Sequence, residues 1–235
     1  MWTKERIAST IDHAILKPLQ TDDDVLKECQ IAEKWKVASV CVKPQHVGLA
    51  RSFFFTLPFP FYWKREVKIG TVINFPYGMD TTEVQQAQAK QAIKDGVDEL
   101  DIVMNLADFK IGKYKDVKYS LKQTIDYAKS FKNDIITKVI FEICYWNKEQ
   151  IIKACEIAKE AKADFVKTST GFGEFGASAS ACKIMIDEVG DTMGVKASGG
   201  IKNLSDLLFY LTLGCTRIGT SSTGAILKEL EEGKK

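Results

Sequence analysis

The feature that most constrains the fold is an eightfold alternation of short apolar runs with stretches of helical periodicity. Strands that alternate with helices form parallel sheets, and eight such units in 235 residues have the length of a closed (β/α)8 (TIM) barrel. We therefore predict an α/β fold, with one (β/α)8 barrel domain over residues 1–235 and no Pro- or Ser-rich linker dividing it. A doubly wound open sheet is the alternative, and it is disfavoured because no Gly-x-Gly-x-x-Gly motif follows the first strand.

The element boundaries follow from periodicity and from capping residues. The predicted strands are residues 9–13, 38–42, 67–73, 97–104, 137–143, 163–167, 195–198 and 215–219. Four predicted helices are recognised by their first residues: Thr21, which has capping-box spacing to Asp24, then Pro44, the pair Asp80 and Glu83, and Asn147. Four more are predicted over 113–131, 177–189, 203–213 and 222–232. The Pro44 stretch runs into an aromatic segment, 53–63, whose two prolines exclude regular helix throughout. We interpret that segment as a surface that packs on the core or on another subunit.

Composition narrows the classes of function. Apolar residues make up 45% and charged residues 27%, and a net charge of +2 without basic clusters argues against nucleic-acid and membrane-surface partners. No apolar run reaches the ~18 residues of a membrane span, and the N-terminus lacks a signal-peptide pattern, so we expect a cytoplasmic protein. Six cysteines without a Cys-x-x-Cys pair are expected to be reduced, buried thiols. Two histidines are too few for a histidine-rich metal site and make a Ser-His-Asp triad unexpected.

Polar residues at the ends of the predicted strands mark the candidate site, because barrels of this kind carry function at the carboxyl ends of their strands. Lys167 and Lys196 end the sixth and seventh strands in matching segments, Val166-Lys-Thr-Ser and Val195-Lys-Ala-Ser. Two neighbouring ammonium groups in a desolvated site lower the pKa of an amine and so yield a neutral nucleophile. For Lys167 alone, the alternative is a lysine that extends from a strand end to solvent. The other polar strand-end residues are Asp12, Cys41, Asn74, Asp98, Asp101 and Glu142.

Asp101 interrupts the apolar fourth strand. Because side chains alternate along a strand, Glu99 and Asp101 share one face while Asp98 takes the other, so only one set can face the lumen. A buried carboxylate is costly unless it is paired, and the two lysines would pair it. Taken alone, Asp101 fits a structural ion pair and a proton carrier equally well. With two lysines beside it, we favour the catalytic role.

Three glycine-containing loops come late in the chain: Gly171-Phe-Gly173, Ser198-Gly-Gly-Ile201 and Gly219-Thr-Ser-Ser222. Barrels of this type often bind phosphate with the loops after their last strands, through backbone N–H groups and a helix N-terminus. Each glycine pair alone indicates only a turn. Three on successive strands, the last leading directly into a helix, predict a phosphate site.

Taken together, these segments resemble the 2-deoxyribose-5-phosphate aldolase family, class I aldolases on a (β/α)8 barrel. The motifs run in family order from residue 11 to residue 222. They are Ile11-Asp-His-Ala-Ile-Leu-Lys-Pro18, Ala38-Ser-Val-Cys-Val42, Asn74-Phe-Pro-Tyr-Gly78, Gly96-Val-Asp-Glu-Leu-Asp101, Val166-Lys-Thr-Ser-Thr-Gly-Phe-Gly173, Val195-Lys-Ala-Ser-Gly-Gly-Ile201 and Arg217-Ile-Gly-Thr-Ser-Ser222.

The resemblance implies that Lys167 forms a Schiff base, that Lys196 lowers its pKa and that Asp101 shuttles protons. It implies reversible cleavage of 2-deoxy-D-ribose 5-phosphate to D-glyceraldehyde 3-phosphate and acetaldehyde, in deoxyribonucleotide catabolism, without a metal ion or an organic cofactor. The residues expected to bind this phosphosugar are Asp12, Cys41, Thr168, Gly171, Gly199, Gly200, Gly219, Ser221 and Ser222.

Two positions depart from the family pattern. Ala14 stands where the first motif usually has threonine, and Ile143 follows Glu142 where threonine is common, so substrate positioning rather than lysine chemistry is affected. For Cys41 a packing role is favoured over a reactive one. Two alternatives stay open: a non-catalytic phosphosugar-binding barrel, and a class I aldolase for a related aldehyde. We expect a homo-oligomer, a dimer or a tetramer.

Overall fold

The computed structural model describes residues 2–55 and 67–233. Within these ranges eight parallel strands close a barrel in chain order, and β8 pairs with β1. The strands are β1 Ile11–Ile15, β2 Ser39–Val42, β3 Lys68–Ile73, β4 Glu99–Val103, β5 Ile136–Ile140, β6 Phe165–Lys167, β7 Gly194–Ser198 and β8 Arg217–Thr220. The predicted (β/α)8 barrel is confirmed.

Helices connect successive strands on the outside of the barrel. In the described ranges they are α1 Lys4–Ala8, α2 Asp22–Trp35, α3 Val47–Phe55, α4 Thr82–Lys94, α5 Leu106–Lys110, α6 Tyr114–Phe131, α7 Lys148–Glu160, α8 Ala179–Val189, α9 Leu204–Leu213 and α10 Thr223–Glu232. None of them is long and apolar enough to cross a membrane.

Alternation along the strands separates an apolar core from a charged lumen. On β4, Leu100 and Ile102 are fully buried in the core between the strands and the helices. Glu99 and Asp101, at the intervening positions, are equally buried but lie among lysines in the lumen. The sequence prediction that these two acids share one face is confirmed, and the face is the lumen.

Local capping chemistry sets most helix starts. Thr21 caps α2 in a capping box with Asp24, as predicted, and Asn147 caps α7 in the same manner. The predicted cap of α4 was wrong, because Thr81 and not Asp80 precedes its first residue. The Asp80 carboxylate instead accepts a hydrogen bond from a glutamine side chain within that helix.

Some boundaries differ from the sequence prediction. The first strand begins at Ile11 rather than at residue 9, because the unpredicted helix α1 and the turn after it occupy residues 4–10. The last strand begins at Arg217 rather than at residue 215. Pro44 opens a short 3-10 turn that leads into α3. Of the aromatic segment 53–63, residues 56–63 lie outside the described residues.

Candidate active site

Two lysines from neighbouring strands meet near the carboxyl end of the barrel. Lys167 on β6 and Lys196 on β7 are register partners, so their side chains enter the lumen side by side. Their ammonium nitrogens contact one carboxylate oxygen, Oδ2 of Asp101, at 2.8 and 2.7 Å. The two lysines are only 3% and 1% exposed, so Lys167 does not extend to bulk solvent.

The shared carboxylate of Asp101 is the centre of this arrangement. Its second oxygen, Oδ1, accepts a hydrogen bond from Lys138 of β5 at 2.8 Å, and the residue is fully buried. Burial opposes ionisation of Asp101, but the three lysine ammonium groups outweigh burial and hold its pKa well below the usual range. Asp101 is therefore a carboxylate at neutral pH.

The environments of the two paired lysines push their pKa values in opposite directions. Burial lowers the pKa of Lys167, the Asp101 carboxylate opposes this, the nearby Lys196 charge lowers it further, and the net direction is downward. Burial also disfavours the charged form of Lys196, yet Asp101 and Asp12 together raise its pKa above the ordinary value. Asp12 decides the difference, because its Oδ2 lies 2.5 Å from the Lys196 nitrogen. Such a split makes Lys167 the amine that loses its proton more readily and Lys196 the one that keeps its charge.

Sequence analysis missed two cations of the lumen. Lys138 pairs with Glu99 at 2.6 Å, and Arg217 pairs with Asp12 at 2.6 Å. The signal for Lys138 was its spacing of four residues from Glu142 within the predicted strand 137–143, although in the structure this strand ends at Ile140. The lumen cluster thus contains four cationic side chains and three carboxylates: Lys138, Lys167, Lys196 and Arg217 with Asp12, Glu99 and Asp101.

Cations outnumber carboxylates in the lumen cluster, and the half-exposed Lys68 adds a further cation 4.0 Å from Glu99. An uncompensated charge in a buried site is strongly disfavoured, so the amine with the lowest affinity for its proton releases it first. Lys167 is the lysine of this cluster whose pKa is lowered, whereas at Lys138 and Lys196 the facing carboxylates outweigh the opposing effect of burial and raise the pKa. The excess of cations favours loss of one proton, and the local environment identifies Lys167 as the amine that loses it most readily.

A cavity of about 360 Å³ opens above the lumen cluster. It brings together most of the residues predicted from the sequence: Asp12, Cys41, Lys167, Lys196, Gly171, Gly199, Gly200, Gly219, Ser221 and Ser222. Ala14, the departure in the first motif, also lines it. Asp101 is not among the lining residues and lies behind the two lysines that it contacts.

Three of the polar residues singled out in the sequence lie away from the cavity wall. The Thr168 hydroxyl donates to the carbonyl oxygen of Ser198 at 3.1 Å and accepts from its N–H at 3.0 Å, so it ties β6 to β7. Asp98 points out of the barrel, where it accepts a backbone N–H of β3 and pairs with a lysine. Asn74 bonds within its own loop and to Val103, and these bonds fix the β3–α4 connection.

Cys41 and Glu142 lie near Lys167, and burial raises the pKa of both side chains. Burial, aided by the Asp101 carboxylate, raises the pKa of the Cys41 thiol to about 11, which fits packing rather than nucleophilic chemistry. Burial also raises the pKa of Glu142, against hydrogen bonds from the Thr170 hydroxyl and N–H. Glu142 thereby holds the start of the loop that carries Gly171.

The predicted phosphate loops converge at one end of the cavity. The phosphate loops are defined here as Gly171, the pair Gly199 and Gly200, and the segment 219–222. The first three glycines have φ values of +88°, +86° and +83°, which L side chains rarely adopt. At Gly219 a Cβ would lie 2.8 Å from the Cβ of Ser198, so only glycine fits there. Segment 219–222 leads into α10, whose N-cap Ser222 makes no side-chain capping bond.

Comparison with known proteins agrees with this arrangement. The family model described as DeoC/LacD family aldolase matches residues 6–220. The deoxyribose-phosphate aldolase of Caldanaerobacter subterraneus subsp. tengcongensis is 43% identical over 229 residues, which cover 97% of this chain and 94% of the relative. A solved structure named QR15, an aldolase, is 37% identical, has a TM-score of 0.87 and is matched over 97% of each chain. The deoxyribose phosphate aldolase from Aeropyrum pernix, described as a unique tetrameric structure, is 29% identical with a TM-score of 0.85, over 97% of this chain and 92% of that chain.

Fold and cavity define the class of protein: a (β/α)8-barrel enzyme with an amine-rich site at the carboxyl ends of its strands. The family model and the relatives then identify the protein family. The chain belongs to the DeoC/LacD family of aldolases. It is accordingly a lyase that acts on carbon–carbon bonds, and the family resemblance found in the sequence is confirmed.

Proposed function

We propose that this chain is a class I aldolase that reversibly cleaves 2-deoxy-D-ribose 5-phosphate to D-glyceraldehyde 3-phosphate and acetaldehyde. The observation that carries the proposal is the buried Lys167 amine, whose pKa is lowered, on the wall of a cavity that the phosphate loops also line. The name of the relative from Caldanaerobacter subterraneus supports this substrate. The intact lysine pair and the family membership argue against a non-catalytic barrel.

The chemistry follows from the assigned charges. The neutral Lys167 Nζ attacks the C1 carbonyl of the open-chain sugar to give a carbinolamine. The carbinolamine hydroxyl takes up a proton relayed by Asp101 and leaves as water, which gives a protonated iminium. A base removes the proton of the C3 hydroxyl, the C2–C3 bond breaks, and its electron pair enters the iminium to form an enamine while C3 becomes the aldehyde of the first product. Protonation of the enamine and attack of water then release acetaldehyde and the free amine.

The two remaining polar groups have separate parts in this scheme. Lys196 stays charged because of Asp12 and Asp101, so it opposes protonation of Lys167 before each turnover. The Asp101 carboxylate touches both amines and transfers protons between them and the reacting atoms.

The phosphate loops are proposed to bind the 5-phosphate. Glycine conformations at Gly199 and Gly200 let backbone N–H groups face an anion, and the uncapped N-terminus of α10 adds a favourable dipole. The cavity also has room for a phosphosugar of this size.

The decisive experiment is borohydride reduction of the protein with acetaldehyde, followed by peptide mapping for an added two-carbon group. We expect the label on Lys167, its loss in Lys167→Met, and its persistence in Lys202→Met, a matched control because Lys202 lines the same cavity but is exposed. A label on Lys196 would exchange the roles of the two lysines. No stable label on either would refute the Schiff-base mechanism.

An aldolase for a related aldehyde is tested separately, by comparing cleavage of 2-deoxyribose 5-phosphate with cleavage of 2-deoxyribose. A strong preference for the phosphorylated sugar is expected. Equal rates would remove the assigned role of the phosphate loops.

We further propose that the protein works as a homo-oligomer in the cytoplasm. The tetrameric description of the Aeropyrum pernix relative supports assembly. The six cysteines are free and five of them are buried, which suits a reducing compartment. Light scattering of the purified protein tests the assembly, and a monomeric mass would contradict it.

A further inference from the structure

A buried hydrogen-bonded chain joins the outer face of β1 to the first turn of α10, directly behind the phosphate loops. His13 is 1% exposed and lies between Glu28 of α2 and Thr223 of α10. Its Nε2 lies 2.8 Å from a carboxylate oxygen of Glu28, and its Nδ1 lies 2.8 Å from the hydroxyl of Thr223. Thr223 is fully buried, and none of the three side chains lines the cavity.

Glu28 sets the direction of its hydrogen bond with His13. A carboxylate only accepts, so the Nε2 of His13 carries a proton and donates it. The hydrogen bond from His13 is the main cause that lowers the pKa of Glu28, so Glu28 remains an acceptor at neutral pH. In neutral His13 the Nδ1 then has a lone pair and accepts from the Thr223 hydroxyl. The hydrogen bonds from Glu28 through His13 to Thr223 thus orient the Thr223 side chain toward β1.

The position of Thr223 connects this series of hydrogen bonds to the cavity. It is the first residue of α10 and directly follows Ser222, the last residue of segment 219–222. At the other side of that segment, the Thr220 hydroxyl donates to the carbonyl oxygen of Ile201 at 2.7 Å and accepts from the N–H of Ser222 at 2.9 Å. The segment is therefore tied inward to the neighbouring loop by Thr220 and outward to β1 by the contact between Thr223 and His13.

We propose that His13 is a positioning residue for phosphate recognition: through Thr223 it fixes the first turn of α10, and with it the position of segment 219–222 on the wall of the cavity. The proposal rests on the proposed function, which assigns the substrate phosphate to that segment. A buried histidine with a purely structural role would instead affect phosphorylated and unphosphorylated substrates alike.

The test compares Thr223→Val, which keeps the shape of the side chain but removes its hydroxyl, with Thr223→Ser, which keeps the hydroxyl. For Thr223→Val we expect the KM for 2-deoxyribose 5-phosphate to rise about five-fold, the effect of one lost hydrogen bond, and inhibition by inorganic phosphate to weaken by the same factor. Cleavage of 2-deoxyribose and the rate of iminium trapping with acetaldehyde should be unchanged, and Thr223→Ser should behave as wild type.

Equal losses with both sugars, or an unchanged KM for the phosphorylated sugar, would overturn the proposal. If Thr223→Val does not fold, Glu28→Ala carries the same test, because the Glu28 side chain is 31% exposed. That variant should raise the KM for the phosphorylated sugar alone, and no change would count against His13. A wild-type protein that shows neither phosphate preference nor phosphate inhibition would instead remove the proposed function itself.

Discussion

Replacing Lys196 with methionine is expected to slow iminium formation at neutral pH by about 100-fold, although Lys196 forms no bond to substrate in the proposed mechanism. The perturbation removes the cation whose repulsion helps to keep Lys167 neutral. It also leaves the Asp101 carboxylate with one ammonium partner fewer, which favours protonation of Lys167 further. Both changes raise the pKa of Lys167.

The magnitude follows from the geometry. The two lysine nitrogens lie within about 5.5 Å of each other, the combined length of their contacts to Oδ2 of Asp101. At an effective dielectric constant of about 20, unit charges at that distance repel by about 3 kcal/mol. Since about 1.4 kcal/mol is a factor of ten in a protonation equilibrium, the neutral fraction of Lys167 falls by about 100-fold.

The assay is the initial rate of borohydride trapping with acetaldehyde, measured over neutral and alkaline pH. Trapping rises with pH as Lys167 loses its proton, so in Lys196→Met this rising limb moves to higher pH and the rate recovers under alkaline conditions. Lys196→Arg retains a cation and is the matched control, with a limb close to that of wild type. A uniform loss of rate with the limb in its original place would refute the electrostatic reasoning.

Three further predictions follow from the same structure. Lys138→Met should lower the free energy of unfolding by about 3–5 kcal/mol, because it removes a cation that pairs with Asp101 and Glu99 in a buried site. Denaturant titration measures this change, and a loss under about 1 kcal/mol would contradict the prediction. Gly176→Ala should lower Tm and raise KM, because the added Cβ would lie 2.1 Å from the carbonyl oxygen of Gly199. The control is Gly48→Ala, which has open space at its Cβ and should be neutral or stabilising. Similar Tm values for the two variants would contradict the prediction. Because the pKa of Asp101 is held below its unfolded value, its contribution to stability is complete above about pH 4 and is lost as the pH falls toward the folded pKa; urea titrations in acid should show this decline, and Asp101→Asn should flatten it.

Much of the candidate site was predictable because it depends on strand parity. Even spacing along β4 put Glu99 and Asp101 on one face. Matching segments predicted that Lys167 and Lys196 lie side by side, and they are register partners, although Lys196 lies within β7 rather than at its end. Thr168 illustrates the limit. The family resemblance implied a substrate contact for Thr168, but its hydroxyl is used in hydrogen bonds across to β7, which only the paired strands reveal.

The sequence by itself determined the (β/α)8 barrel, the lysine pair and the glycine loops, because these depend on local periodicity, on turn chemistry and on motifs that each lie within a short segment. Tertiary structure alone decided that Lys138 and Arg217 enter the lumen cluster and that Asp12 holds the charge on Lys196. These contacts join residues on strands far apart in the chain. They depend on the register and closure of the barrel. Because a pKa depends on every charge within a few ångströms, the downward shift at Lys167 could be derived from its surroundings only after the strands were paired.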